Sequence, residues 1–136
     1  MFLAAALLVL GLSGCAKTTI QTGLTYPTGL QRGTTLDIQV FRRMTKIEIT
    51  NTTAKPYGKS ILWLNGRFSK EIDGLAVGQT IVFPLKQFKD EFGESFRGGG
   101  FFAAERPERL ALAELQPMDA NPPAMLSLIV VGGSED

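Results

Sequence analysis

Residues 61–72 read Ile61-Leu62-Trp63-Leu64-Asn65-Gly66-Arg67-Phe68-Ser69-Lys70-Glu71-Ile72, two strand-forming runs separated by Asn-Gly. That dipeptide is the strongest short hairpin signal, because a type I′ turn needs positive φ at both central residues. The stretch therefore predicts two antiparallel strands carrying Trp63 and Phe68 on either side of a tight tip. Trp63 lies inside an apolar run and is expected to pack between two sheets.

The pattern continues upstream. Leu36, Ile38 and Val40 alternate with Asp37 and Gln39, and Ile47 and Ile49 alternate with Lys46, Glu48 and Thr50. A period of two marks a strand with one buried face. Asn51-Thr52-Thr53 ends the second run; it matches the N-x-T acceptor pattern but is read as a turn. Lys55-Pro56-Tyr57-Gly58 is a turn cluster.

Downstream, Asp73-Gly74 makes another turn, and Leu75-Ala76-Val77-Gly78-Gln79-Thr80 leads into the β-branched run Ile81-Val82-Phe83, ended by Pro84. This L-x-x-G-x-T stretch resembles the corner before a strand in immunoglobulin-like and fibronectin-like sandwiches. Leu85, Phe88 and Phe92 recur at spacings of three and four, which predicts a short helix capped by Gly93. Phe96 to Phe102 encloses Gly98-Gly99-Gly100 and reads as a loop with aromatic edges. Leu110 to Leu115, bounded by Pro107 and Pro117, and Met125 to Val131, after Pro122-Pro123, complete the set of strands. No internal repeat is visible. The expected fold is all-β: a single immunoglobulin-like antiparallel β-sandwich over residues 34–136, with one short helix.

Ahead of that domain, Cys15 to Gly33 has little apolar density and is interrupted by Gly23, Pro27, Gly29 and Gly33. It is expected to be a flexible tether with a reach of roughly 20–25 Å, or, in its Thr18 to Leu24 part, a first strand. Residues 2–12 form an apolar run shorter than the roughly 20 residues that cross a bilayer as a helix. The run ends in Leu12-Ser13-Gly14-Cys15, which resembles the lipobox of bacterial lipoproteins. The first basic residue, Lys17, lies after that motif rather than before the apolar run. The resemblance implies a signal peptide over residues 1–14, cleavage before Cys15, and acylation of Cys15 by diacylglycerol and a further chain such as palmitate. Ala16, where an aspartate would hold the protein at the inner membrane, implies the outer membrane.

Composition narrows the function. With 14 basic and 13 acidic side chains the net charge is +1, so no broad field draws in nucleic acid. The single cysteine is assigned to the lipid, which leaves no internal disulfide, and stability must come from packing. The chain has no histidine. That removes Ser-His-Asp and Cys-His catalysis and the usual zinc and copper sites, leaving paired carboxylates, a Ser-Lys pair or an all-oxygen metal site.

Each of these has a blander reading. Asp90, Glu91 and Glu94 lack the D-x-D-x-D-G pattern of a calcium loop and are expected to be a solvated face. Glu105 and Glu108 stand beside Arg106 and Arg109 and are expected to pair with cations at the surface rather than cleave glycan. Lys59-Ser60 and Ser69-Lys70 are adjacent on strands, so each pair points to opposite faces. The glycine triplet lacks the lysine and threonine of a phosphate loop. No metal or cofactor is implied. Phe101, Phe102, Arg97 and Tyr57 are the candidate partner-binding residues, and of the two consecutive phenylalanines one is expected to face outward and the other inward.

The reading that follows is a lipid-anchored envelope protein with a non-catalytic binding or structural role. Its partners would be the membrane, through the anchor, and an envelope protein or glycan. The alternatives are a carboxylate-dependent enzyme acting on envelope glycan and an accessory subunit of an envelope assembly.

Overall fold

The computed structural model describes residues 22–132; the stretch expected to be a signal peptide, Cys15 and the Thr18 to Gln21 part of the alternative first strand lie outside them. Among the described residues nine strands occur in the order β1 (Gln31–Arg32), β2 (Ile38–Arg43), β3 (Lys46–Asn51), β4 (Ser60–Leu64), β5 (Phe68–Ile72), β6 (Thr80–Pro84), β7 (Ala113–Pro117), β8 (Ala124–Ser127) and β9 (Ile129–Val131). They form a five-stranded sheet, β1-β8-β7-β4-β5, packed on a four-stranded sheet, β6-β3-β2-β9. This is the expected all-β sandwich. β2, β3 and β6 thereby lie opposite β4, β5, β7 and β8.

The seam departs from a purely antiparallel arrangement. β1 pairs parallel with β8, and β2 pairs parallel with β9. The run from Met125 to Val131, expected as one strand, breaks at Leu128, whose side chain is buried and whose N–H donates to the Ala113 carbonyl. Its two halves thereby serve different sheets.

The hairpin is where the sequence places it. Asn65 and Gly66 both have positive φ, 53° and 62°, and the Arg67 N–H closes the turn on the Leu64 carbonyl at 3.1 Å. Leu64 pairs with Phe68, so Arg67 is an extra residue between tip and strand.

Inward-facing Ile38, Val40, Ile47, Ile49, Leu62 and Leu64 dominate the main core. Trp63 does not join it. Alternation along β4 turns Ile61 and Trp63 to the outer face of the five-stranded sheet, where they form a second cluster with Met125, covered by Tyr26 and Leu30. Both faces of β4 are buried, which accounts for its unbroken apolar run.

The cover is the segment expected to be a free tether. From Gly23 on it is docked: Gly23 donates to the Asp90 carbonyl at 2.7 Å, Leu24 to Ser69 Oγ at 3.1 Å, and Gly33 to the Met125 carbonyl at 2.9 Å. A Cβ on Gly23 would lie 2.1 Å from the Lys89 carbonyl oxygen, so only glycine admits this approach.

Two further expectations are corrected. The helix over Leu85 to Phe92 is a single 3-10 turn, Leu85–Gln87. Lys89 is drawn into a bridge with Ser69 at the sheet edge, which takes its backbone out of a helical ladder, and Phe92 is left exposed. Gly93, at φ 88°, ends a turn from Asp90 instead of capping a helix. The strand expected from Leu110 begins only at Ala113 and runs to Pro117, because the side chain of Asn65 bonds the backbone of Arg109, Ala111 and Leu112 before it.

Candidate functional site

Three structural devices build one end of the sandwich. The first is Asn65. Its Nδ2 donates to the Arg109 carbonyl at 2.7 Å, and its Oδ1 accepts from the N–H groups of Ala111 at 2.9 Å and Leu112 at 3.2 Å. One residue thus supplies the turn conformation and fixes the chain entering β7.

The second is Arg42, whose guanidinium donates to the carbonyls of Gly98, at 2.8 Å, and Glu108 and lies 5.8 Å from the Phe96 ring centre. Burial lowers its pKa from the usual guanidinium value, opposed by the charge of Glu108. Phe96 is buried edge-on against Phe68 at 5.2 Å, which anchors the loop that follows.

The third is the closure of that loop. Arg97 and Glu108 bond reciprocally: the Arg97 N–H donates to Glu108 Oε2 at 3.0 Å, and the Glu108 N–H donates to the Arg97 carbonyl at 2.9 Å. Ten residues are gathered between ends that touch, the form of an Ω-loop. Gly98 passes close to Thr45 and Leu85; Gly99 and Gly100 take φ of 78° and 114°. The Ala103 N–H then donates to the Gly100 carbonyl at 3.1 Å, and Phe101 and Phe102 become the central residues of this turn.

That position decides their exposure. Phe101 is 96% and Phe102 94% exposed, against the expectation that one would be buried. On an extended strand consecutive side chains alternate, but at a turn tip both point away from the body. Their rings meet edge to face, with centres 5.0 Å apart.

The other candidates are distributed unevenly. Arg97 sits at the foot of the same loop, its guanidinium 3.1 Å from Glu105 and 3.6 Å from Glu108. Both carboxylates therefore pair with Arg97, not with their sequence neighbours Arg106 and Arg109. Tyr57 is elsewhere: it is bridged to Leu75, which accepts from Asn51 at the opposite end of β3 from Thr45. It is half-buried against the main core, with Lys55 Nζ 5.7 Å from its ring centre. The structure brings together Arg97, Phe101 and Phe102, and separates Tyr57 from them.

Glu105 and Glu108 line a cleft of about 410 Å³ together with Arg67, Glu94, Ser95 and Arg97. Arg97 engages both carboxylates, an arrangement suited to holding the loop shut rather than to delivering a proton to a leaving group. Asp90, expected on a solvated face, is buried. Its Oδ1 accepts from the N–H groups of Phe92 and Glu94, and its Oδ2 takes two bonds from Arg67 at 3.0 and 2.7 Å. Desolvation pushes its pKa up, but the Arg67 guanidinium and the two N–H groups outweigh this and hold it below the usual carboxylate range.

Glu114 was not singled out in the sequence and is also fully buried, on the outer face beside Trp63. It accepts from the Tyr26 hydroxyl at 2.8 Å and from Arg32 at 3.2 Å. Burial, then the bond to Glu114, raises the Tyr26 pKa. An isolated acidic residue among apolar neighbours on a central strand is the only sequence signal for it. Asp90 and Glu114 hold the N-terminal segment and the Asp90–Gly93 turn in place. No protein-family model matches the chain, and no curated protein or solved structure matches it.

Proposed function

We propose that the chain is an exported lipoprotein of the bacterial envelope, anchored through acylated Cys15 at the outer membrane, whose sandwich has a non-catalytic binding or structural role. The address rests on Leu12-Ser13-Gly14-Cys15 after the apolar run. The observation that carries the binding role is the Phe101–Phe102 tip: two large apolar rings presented to solvent on a loop pinned at its base by Arg42, Arg97 and Glu108. Placing apolar surface in water is unfavourable, and here the surrounding backbone is built to hold it there.

The anchor is tested by labelling cells with a fatty-acid analogue. The wild-type chain is expected to take up label and fractionate with membranes, and Cys15→Ser to lose both; a labelled Cys15→Ser protein overturns the assignment. The binding role is tested by capture from solubilised envelope with wild type and with a Phe101→Ser/Phe102→Ser double variant. A stoichiometric protein or a glycan held only by the wild type supports the reading, whereas identical captures by both overturn a role for the tip in holding a protein or glycan.

A further inference from the structure

The end of the sandwich that carries Phe101 and Phe102 has a second property. Met44, 75% exposed in the β2–β3 turn, is next to Thr45, against which Gly98 and Gly100 pack. A third exposed apolar side chain therefore belongs to the same end of the sandwich. Around it the charges are unequal: Glu48 faces Arg43, and Glu105 and Glu108 face Arg97. Lys46, Lys86, Arg106 and Arg109 are exposed and have no carboxylate partner among the described residues. Arg97 and Arg67 each serve two carboxylates, so these exposed cations leave the end with a modest positive excess. An exposed apolar tip at an end that carries unpaired cations is complementary to a bilayer whose headgroups are anionic and whose interior is hydrocarbon.

The leash is short. The N-terminal segment is docked from Gly23, which lies eight residues after Cys15, and at roughly 3.3–3.6 Å per residue that link spans at most about 29 Å. It leaves the body beside Asp90, which is bonded to Arg67 next to the hairpin tip, and that tip is bonded to residues 109–112 at the same end. The point where the link leaves the body and the apolar tip share one end of the domain, so a link this short allows the tip to reach the surface.

We propose that the Phe101–Phe102 tip inserts into the anionic bilayer that carries the chain's own lipid anchor. The inference deepens the anchored reading and rests on it, and it makes the membrane the partner of the tip. Phe101 and Phe102 enter the boundary between headgroups and acyl chains, while the surrounding lysines and arginines stay at the level of the phosphates.

The test uses the acylated chain from Cys15 onward in vesicles of phosphatidylethanolamine and phosphatidylglycerol, with Phe102→Trp as a probe at the tip and Met118→Trp as a probe at the far end of β7. Trp63, being buried, is the background common to both. The tip probe is expected to be quenched by lipids bearing a nitroxide near the headgroup and to be shielded from aqueous iodide at least about fivefold relative to the Met118 probe, as a side chain 5–10 Å below the surface would be. Lowering the phosphatidylglycerol fraction should reduce the quenching. Protein that floats with vesicles while its tip probe stays as open to iodide as the Met118 probe overturns insertion and leaves the anchor standing. Shielding from iodide without quenching by the labelled lipid assigns the tip to a second copy of the chain and overturns it equally. Wild-type protein that does not float with vesicles overturns the anchored reading itself, and the inference falls with it.

Discussion

Tyr26 and Trp63 meet edge to face, ring centres 5.2 Å apart and planes at 87°, and the contact joins the segment ahead of β1 to the outer face of the central strand β4. The Trp63 Nε1 donates to Gln116 at 2.8 Å, and the Tyr26 hydroxyl donates to Glu114 at 2.8 Å. The segment is thus a lid over a second apolar cluster, latched by a buried carboxylate.

Trp63 is the only tryptophan, so its emission reports the lid. Tyr26→Ala should shift that emission to the red with far-ultraviolet circular dichroism preserved, as water reaches the indole. Trp63→Ala should cost about 3–5 kcal/mol, the usual loss for a large buried ring, measured by urea denaturation. An unshifted Tyr26→Ala spectrum would show that the lid is held without the ring contact.

Asn65 has two separable roles. Asn65→Gly keeps a residue suited to positive φ and removes the clamp on residues 109–112, so it should cost about 1–3 kcal/mol through backbone groups left without partners. Gly66→Val tests the turn alone. A Cβ there meets nothing nearer than the Tyr26 ring at 3.8 Å, so its expected cost of about 1–2 kcal/mol is that of left-handed backbone in a residue with a side chain. Urea midpoints equal to wild type would refute the respective role.

Asp90 should shape the acid limb of the stability curve. Its folded-state pKa is held below the ordinary value, so the unfolded chain takes up the proton first as pH falls. The stability it contributes is complete above the unfolded pKa of about 3.9 and is lost as the pH drops through the folded one. Asp90→Asn should be less stable at neutral pH and show a flatter decline below about pH 4. A variant that follows the wild-type acid curve in parallel would place the titration elsewhere.

Phe101→Ser and Phe102→Ser should each change stability by about half a kcal/mol or less, as befits exposed positions. Loss of about 3–5 kcal/mol in either, the figure for a buried phenylalanine, would mean that the ring packs into the body.

Local chemistry was legible in the sequence wherever the deciding requirement lies within a few residues. Asn65-Gly66 specifies its turn because few residues accept positive φ, and the alternation in Leu36 to Val40 and Lys46 to Thr50 specifies strands because period two is set by the pleat. From such elements the all-β sandwich followed. What only the tertiary structure decided are facts about partners far along the chain. Trp63 faces outward because register with Ser69 and Glu114 sets its parity, and it is buried only because Tyr26 and Leu30 come to cover it. A segment poor in apolar residues looks like a free tether until Gly23, which tolerates no side chain beside Lys89, is seen to let it dock. Asp90 looks solvated until Arg67, 23 residues away, closes on it, and Lys89 looks helical until Ser69 recruits its backbone to the sheet edge. Two adjacent phenylalanines carry no sign of being at a turn tip: that depends on the Gly100 to Ala103 bond and on Arg42 and Glu108 closing the loop beneath them, contacts whose energies no window of sequence contains.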